Sequence, residues 1–393
     1  MGLRAAPHAH GPVEPPPPGG HGGTCAGVHR SWHGGGAGHV RPRIPHSRPS
    51  LGPPEEEAAR RVLSSGQLAA DWEVRRFEEE VACWLGLTGG VATSSGTAAL
   101  HVALLALGVG PGHEVIVPTY VCSAVLHAVQ AVGARPVPVD VLPDGNLDPD
   151  AARASASPRT RAVVVTHAFG RPADLDAVLR LGVPVVEDIA QSLGARYRGR
   201  LVGSFGDVAV CSFYATKLIT SGGEGGMVLA KDAGLLRRAR SLCTSDARGR
   251  EQRFNYRMTD LAAAVGRVQL RRLPEFLATR WRLAGAYDRA LAGLGLELPP
   301  ATRPGAEPVA YRYVVRHPEA GRLLLVLRRA GVEAKRPVKQ PLHRALGLDG
   351  FPVADGLHAT AVSLPIYPSL SEQHVHGVAE VVRAALEVPG GVA

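Results

Sequence analysis

Short apolar and β-branched runs alternate with segments of helical spacing through the first two thirds of the chain. Two helices are predicted first, over Glu55–Leu63 and Trp72–Leu85. Seven strands follow, at Val91–Thr93, Glu114–Val117, Arg135–Val139, Arg161–Thr166, Val183–Glu187, Val208–Ser212 and Gly226–Ala230. Helices such as Ala98–Leu107, Ser123–Val132 and Asp174–Leu181 separate them. This alternation favours an α/β fold in which helices flank a mostly parallel, seven-stranded sheet.

A long helical stretch, roughly 259–291, follows the last strand and contains few helix breakers. After Gly293–Pro300 the pattern predicts a smaller α+β unit. Its elements are strand Tyr311–Arg316, helix Gly321–Ala330, strand Val332–Lys335 and helix Ser371–Leu386. We therefore divide the chain into a large domain over residues 51–290 and a small C-terminal domain over residues 291–393.

Residues 1–50 differ from the rest, because they are rich in Gly, Pro and His and have almost no apolar periodicity. A segment of this composition buries too little apolar surface to offset the entropy lost on ordering. We expect a disordered tail. Its histidines could bind a metal, but a solvated tail is the favoured interpretation, and no metal site is predicted.

Net charge, apolar run length and cysteine content limit the classes of protein to which the chain can belong. The formal net charge is +9, and residues 1–50 hold five arginines against one glutamate. No dense Lys/Arg block interleaved with aromatic residues appears, so nucleic-acid binding is not expected. No run of ~18 apolar residues occurs, and a membrane span is not predicted. The five cysteines are scattered and odd in number, which favours a reducing, cytoplasmic setting.

The first candidate site is the turn of small residues that follows the first strand, Ser94–Leu100. Free amides at a helix start attract anions. Gly96 allows close approach of a phosphate to the backbone, and Thr97 adds a hydroxyl. Taken alone, small residues at a tight turn more often have a purely structural role.

Two further candidates also lie at strand ends, where open α/β sheets bind ligands. A carboxylate such as Asp188 would keep a pyridine nitrogen protonated, and Gln191 could reach another ring substituent from the same helical face. Asp188 could instead cap a helix. Lys217 follows the strand that ends at Ser212, and a lysine amine forms imines with carbonyl compounds. A lone lysine is more often a surface residue.

Taken together, these motifs are similar to those of one family. From about Leu51 to Leu386 the chain resembles the DegT/DnrJ/EryC1/StrS sugar aminotransferases, a branch of the fold-type-I pyridoxal-phosphate enzymes. The matching segments are Ser95–Leu100, Val115–Pro118, Gly133–Val137, Gly170–Asp174, Glu187–Ala195, Ser212–Lys217 and Phe254–Asp260. So many motifs in one order make a specific signal.

The resemblance implies a role for each matching residue. Lys217 matches the Schiff-base lysine that also shuttles protons, Asp188 the partner of the pyridine nitrogen, and Gln191 a residue near the ring. Thr97, Ala98 and Ser212 match the phosphate contacts made within one subunit. Asn255 matches an asparagine that reaches the cofactor phosphate of the neighbouring subunit. The resemblance therefore implies pyridoxal 5′-phosphate as cofactor and a homodimer with shared active sites.

One position departs from the family pattern. Family members usually place an aromatic ring over the cofactor four residues after the proline of the Val-Pro motif, and that position is Cys122 here. The ring is then either absent or supplied by Tyr120. A thiol could pack against the cofactor ring, and an ordinary small buried cysteine is at least as compatible with the sequence.

The implied reaction moves an amino group from an amino donor, by analogy L-glutamate, to a keto sugar, usually a nucleotide-linked keto-deoxysugar. A keto-cyclitol acceptor and a non-catalytic regulatory relative are the alternatives. Dehydratase relatives carry histidine in place of Lys217, which argues against that activity. Segments at 217–220 and 336–343 are similar to the perosamine-synthase branch, which aminates C4. Candidate substrate contacts are Arg257, Arg336 and His343, although each could be a surface or structural residue.

Overall fold

The computed structural model describes residues 44–244 and 252–387, and the predicted alternation of strands and helices is present there. The strands are β1 Gly89–Thr93, β2 Glu114–Pro118, β3 Arg135–Val139, β4 Thr160–Thr166, β5 Val185–Asp188, β6 Arg196–Tyr197, β7 Arg200–Leu201, β8 Val208–Ser212, β9 Gly226–Ala230, β10 Ala306–Glu307, β11 Tyr313–Arg316 and β12 Ala361–Leu364. The helices are α1 Pro53–Ser65, α2 Trp72–Leu85, α3 Gly96–Ala106, α4 Ser123–Ala131, α5 Pro149–Ser155, α6 Leu175–Leu179, α7 Ala233–Leu242, α8 Asp260–Leu291, α9 Ala320–Arg329, α10 Leu342–Ala345, α11 Pro352–Thr360 and α12 Glu372–Glu387.

The main sheet has seven strands in the order β1-β9-β8-β5-β4-β2-β3. Only β9 runs against the others, because its pairings with β1 and β8 are both antiparallel. The central strands are buried on both faces. In β4, Val163 and Val165 pack on the side of α2, α6 and α8, whereas Val164 packs on the side of α3, α4 and α7. This explains the unbroken apolar run, and the predicted mostly parallel sheet with flanking helices is confirmed.

A third apolar core lies towards the C-terminus, where β11 and β12 pair antiparallel and pack with α9 and α12. The last turns of α8 belong to this core, from Leu283 to Leu291. The long predicted helix is present and begins after Thr259, whose hydroxyl accepts a hydrogen bond from the Ala262 amide at 3.2 Å. The division at residues 290 and 291 stays a prediction.

The predicted strand Val332–Lys335 is wrong. Val332 and Lys335 make only isolated bridges, to Ile44 and Ser363, and the partner of β11 is the later segment β12. Exposed Lys335 and the following Arg336-Pro337 interrupt the segment before a ladder can form. Four-residue β12 carries too short a pattern to be distinguished by periodicity.

Part of the predicted tail is also wrong, since residues 44–50 pack against the rest of the chain. The Ile44 amide donates to the Gly331 carbonyl at 3.1 Å, and the Ser50 carbonyl accepts from Gln269 Nε2 at 2.8 Å. His46 is buried. The remaining 43 residues of the predicted tail lie outside the described residues. None of the helices within residues 44–244 and 252–387 combines the length and the hydropathy of a membrane span.

Candidate active site

Several predicted site residues meet at one edge of the sheet. Strands β1, β4, β5 and β8 run parallel, so their carboxyl ends share this edge. There, Ser94–Gly96 follows β1, His167 follows β4, Asp188 ends β5 and Ser212 ends β8. The topology therefore brings together residues that lie far apart in sequence.

The turn after β1 is shaped for an anion. Ser95 is the N-cap of α3, and its hydroxyl accepts a hydrogen bond from the Ala98 amide at 3.1 Å. The amides of Gly96 and Thr97 have no acceptor within the helix and are left for a ligand. A Cβ on Gly96 would lie 2.7 Å from Ser212 Cβ, so only glycine lets the turn and Ser212 touch.

This geometry corrects one detail of the expected phosphate site. The Ala98 amide is already engaged by Ser95, a residue to which the sequence assigned no site role. The signal was present, because a serine immediately before a helical pattern is a typical N-cap. Gly96 lies against Ser212, and Thr97 is the next residue of the same turn.

The two acidic residues of β5 have different surroundings. Glu187 is fully buried and accepts the amides of Gly203, Phe205 and Gly206 at 2.6–2.7 Å. Burial alone raises the pKa of its carboxyl, but His167 and these amides bring the pKa below its ordinary value. The network fixes the loop after β7, and Glu187 is a structural residue.

Asp188 has fewer partners. The Ala190 amide donates to one carboxylate oxygen at 2.9 Å, and within residues 44–244 and 252–387 no hydrogen bond to the other oxygen is found. Burial raises the pKa of Asp188 above its ordinary value, opposed by the Ala190 amide and by nearby Lys217 and His167. A cationic partner at the second oxygen would offset this burial penalty.

Gln191 lies one turn beyond Asp188 and is half-buried. Its side-chain oxygen accepts from the Phe169 amide at 3.0 Å, which fixes the side chain and leaves its NH₂ group as a donor. Phe169 has φ of 60°, a left-handed conformation that costs a bulky residue free energy. This hydrogen bond therefore links the strained turn after β4 to Gln191, the residue expected near the cofactor ring.

Lys217 lies in the loop between β8 and β9. The Lys217 amide closes a turn by donating to the Tyr214 carbonyl at 2.9 Å, and the Ala215 amide donates to the Gly223 carbonyl at 2.8 Å. Gly223 has φ of 141°, a backbone conformation that other residues rarely adopt. The glycines after Lys217 therefore let the chain return beside Ala215.

The Lys217 side chain is half-buried among ionisable groups. Its Nζ lies 5.5 Å from the centroid of the Tyr311 ring. Burial lowers the pKa of Lys217, but Tyr311, Cys122 and Asp188 together raise it above its ordinary value, against an opposing effect of Arg312. Lys217, Asp188 and Cys122 therefore occupy one site.

Cys122, which takes the place of the family's usual aromatic residue in the sequence, lies near Lys217. Cys122 is the N-cap of α4, and its side chain is exposed beside Lys217. Tyr120 does not take the place of the missing ring, since it is 2% exposed and packs edge-on against Phe169 at 6.4 Å between centroids. The suggestion that Tyr120 supplies the stacking ring is wrong.

Asn255 and Arg257 are exposed on a segment beside the β1 turn. Between them, the Tyr256 carbonyl accepts from the Ser94 amide at 2.7 Å, and Arg257 bridges to Thr93. Backbone contacts therefore hold the segment that carries Asn255 and Arg257 against the end of β1 and the turn that follows it.

Two candidate substrate contacts have structural positions instead. His343 is 1% exposed and lies between the Thr119 hydroxyl at 2.8 Å and Asp355 at 3.2 Å, with its ring stacked on Phe351. Arg336 donates to the Ala359 carbonyl at 2.6 Å, and this contact fixes the end of α11. We therefore withdraw His343 and Arg336 as substrate contacts.

Several residues near Lys217 carry no signal in the sequence. Tyr311 and Arg312 come from the C-terminal part of the chain, and Arg48, Pro49 and Ser50 line a small cavity with Lys217. A larger cavity of about 530 Å³ has Phe169 and Arg312 in its wall. These residues carry no motif, and only the folded chain brings them to the site.

The residues at this edge fit pyridoxal 5′-phosphate. Gly96 and Ser212 touch and present amides and a hydroxyl to a phosphate, and Asp188 has a carboxylate oxygen for a protonated ring nitrogen. The Lys217 amine is an imine-forming nucleophile in the same site.

Comparison with known proteins agrees with this chemistry. The sequence profile of the DegT/DnrJ/EryC1/StrS aminotransferase family matches residues 49–383. The erythromycin biosynthesis sensory transduction protein EryC1 of Saccharopolyspora erythraea is 39% identical, over 84% of this chain and 94% of its own. The dTDP-3-amino-3,4,6-trideoxy-alpha-D-glucose transaminase of Streptomyces venezuelae is 37% identical, over 84% of this chain and 91% of the transaminase. The structure of S. venezuelae DesV in complex with a ketimine intermediate matches with a TM-score of 0.81 and 36% sequence identity. The match covers 85% of this chain and 95% of the DesV chain.

Proposed function

Since the chain belongs to the DegT/DnrJ/EryC1/StrS aminotransferase family, we propose that it binds pyridoxal 5′-phosphate at Lys217 and aminates a nucleotide-linked keto-deoxysugar. Aminotransfer to a keto sugar is the activity of the family's named transaminases. The observation that carries the proposal is the meeting of Gly96, Asp188, Ser212 and Lys217 at one sheet edge. The amino donor is, by family analogy, L-glutamate.

Each residue has a proposed task. The amides of Gly96 and Thr97 and the hydroxyl of Ser212 hold the phosphate at the positive end of α3. Asp188 accepts a hydrogen bond from the ring nitrogen and keeps it protonated, and Gln191 donates to another ring substituent. When bound, the cofactor supplies an electron sink for charge at the carbon that carries the amino group.

Lys217 carries the proton transfers. Its amine at Nζ would take the proton from the α-carbon of the amino donor and would return a proton to the acceptor carbon that receives the amino group. Cys122 would contact the cofactor in place of the usual aromatic residue, as a soft and polarizable side chain. Arg257 remains the candidate contact for the acceptor.

We also propose a homodimer with composite sites. Asn255 is exposed next to the phosphate turn, on the segment anchored by the Ser94–Tyr256 hydrogen bond. Its side chain is offered to the cofactor phosphate of a second subunit. Mixing inactive Asn255→Ala and Lys217→Ala proteins would then restore one intact site in each mixed dimer. Absence of any recovered activity after mixing and refolding would contradict a shared site.

Absorbance tests the main proposal. Purified protein that is loaded with pyridoxal 5′-phosphate and then freed of unbound cofactor should show a visible band that Lys217→Ala, treated in the same way, lacks. L-glutamate should remove the band, and the correct keto sugar should restore it. A screen of nucleotide-linked keto sugars with a C3 or C4 carbonyl and of keto-cyclitols identifies the acceptor. A protein without the band, or a band that survives in Lys217→Ala, would reject the proposal and favour a non-catalytic relative.

A further inference from the structure

The small cavity that adjoins Lys217 has a strongly cationic wall. Its volume is about 10 Å³, which is room for one water molecule or one monatomic ion. The polar residues of the wall come from the segment before α1, the loop between β8 and β9, and α8, and they are Arg48, Ser50, Lys217, Thr220, Gln269 and Arg280. Of these described residues, three are cationic and none is acidic. Neither Gly96 nor Ser212 lines the cavity, so it is separate from the proposed phosphate turn.

Arg280 carries a buried charge that no carboxylate within residues 44–244 and 252–387 neutralises. The side chain is 3% exposed, and its Nη1 donates at 3.1–3.3 Å to the carbonyls of Ala310, Tyr311 and Ile366. Burial lowers the pKa of Arg280 to about 10, so the guanidinium stays charged at neutral pH. Tyr311 opposes this shift, but its hydroxyl is hydrogen-bonded to Arg312. Carbonyl oxygens satisfy hydrogen bonds and leave the net charge of Arg280 uncompensated.

Two buried polar atoms of the wall residues need an acceptor. In the part of the chain that the structure describes, neither Arg280 Nε nor Ser50 Oγ has a hydrogen-bond partner, although both atoms are buried. Two other wall side chains are engaged, since Thr220 Oγ1 donates to the Phe213 carbonyl at 3.3 Å and Gln269 Nε2 donates to the Ser50 carbonyl at 2.8 Å. Arg280 Nε and Ser50 Oγ therefore remain as two donors for one small occupant.

We propose that this cavity binds one monatomic anion of the size of chloride, held by Arg280 Nε and Ser50 Oγ. An anion accepts both hydrogen bonds and also offsets the charge of Arg280, whereas a water molecule does only the first. Lys217 and Arg48 add to the positive potential of the wall. A phosphate or carboxylate group needs more room than the cavity has. The bound ion joins the segment before α1 to α8 and to the loop that carries Lys217.

Thermal unfolding in matched salts tests the site. Sodium chloride replaces sodium gluconate at constant ionic strength, because gluconate is too large for the cavity. A specific site predicts a melting temperature that rises with chloride and saturates, and the concentration dependence gives the Kd. Ser50→Ala should weaken chloride binding about tenfold or more, since a hydrogen bond to a charged group is lost. Ser369→Ala is the matched control, because Ser369 is exposed and lies outside the wall of the cavity.

Arg280→Met should abolish the chloride response, and if that variant does not fold, Ser50→Ala and crystallography decide. Wild-type crystals with bromide in place of chloride locate the ion by anomalous scattering, and a peak between Arg280 and Ser50 supports the site. A melting temperature that does not distinguish chloride from gluconate, an undiminished response in Ser50→Ala, or a cavity that holds only water overturns the proposal. These measurements need no enzyme activity, so they are independent of the proposed function.

Discussion

Replacing Gly96 by alanine perturbs the phosphate turn with a single methyl group. That methyl would lie 2.7 Å from Ser212 Cβ and 3.0 Å from Ser212 Oγ, where ordinary contacts begin near 3.4 Å. The turn and Ser212 must therefore separate by several tenths of an ångström. This displacement acts on the amides and the hydroxyl that we propose as phosphate donors.

Two opposing contributions determine how Gly96→Ala changes the free energy of unfolding. Overpacking of this kind costs about 1–3 kcal/mol. Alanine in a helix is favoured over glycine by about 1 kcal/mol. Gly321→Ala isolates the second term, because Gly321 also lies in the first turn of a helix and a Cβ there meets nothing within 4 Å. Relative to this control, Gly96→Ala should lower the melting temperature by roughly 2–6 °C.

The effect on cofactor binding should be larger. Misplacing one hydrogen bond to a charged phosphate costs about 1.5–3 kcal/mol, which corresponds to roughly 10- to 100-fold in Kd. Titration of cofactor-free protein with pyridoxal 5′-phosphate, followed by the visible band, measures this change. Gly321→Ala should bind the cofactor as the wild type does.

A double variant separates packing from recognition. Ser212→Gly removes the Cβ that the new methyl would meet, so Gly96→Ala with Ser212→Gly should recover most of the lost stability. Cofactor affinity should stay weak, because the Ser212 hydroxyl is gone. If Gly96→Ala matches Gly321→Ala in both melting temperature and Kd, the proposed phosphate turn is refuted.

Three further outcomes are expected. Asp188→Asn should retain the cofactor but slow the reaction with L-glutamate on the order of 100-fold, since an amide cannot hold a pyridine nitrogen protonated; stopped-flow absorbance checks this, and an unchanged rate contradicts it. Burial, with Arg312 and Lys335, lowers the pKa of His46 from 6.5 to about 3, so the unfolded chain binds a proton that the folded chain does not. Stability should therefore fall by about 1.4 kcal/mol per pH unit from about pH 6 towards pH 3, and His46→Gln should flatten this part of a urea-unfolding series. A chain starting at residue 51 should melt below one starting at residue 44, because it lacks the contacts of Ile44, His46 and Ser50; equal melting temperatures would show that these contacts add no stability.

The sequence predicted the main sheet because its signal is local. Residues such as Val163–Val165 in β4 are buried on both faces, and such strands read as unbroken apolar runs. The prediction of a strand at Val332–Lys335 was wrong because the local pattern there is not decisive. Its apolar character is weak, and whether it pairs depends on β12, almost thirty residues later.

Lys217, Asp188 and Gly96 could be identified from the sequence as a set, since each lies at the end of a strand or in the segment that follows one, and the carboxyl ends of parallel strands meet at one edge. The surroundings that set their chemistry could not. Tyr311, Arg312 and segment 44–50 reach Lys217 only through long-range packing, and His343 and Arg336 proved to be structural for the same reason. Sequence periodicity records which face of a strand or helix is buried, whereas the three-dimensional packing of distant segments decides which side chains share a site.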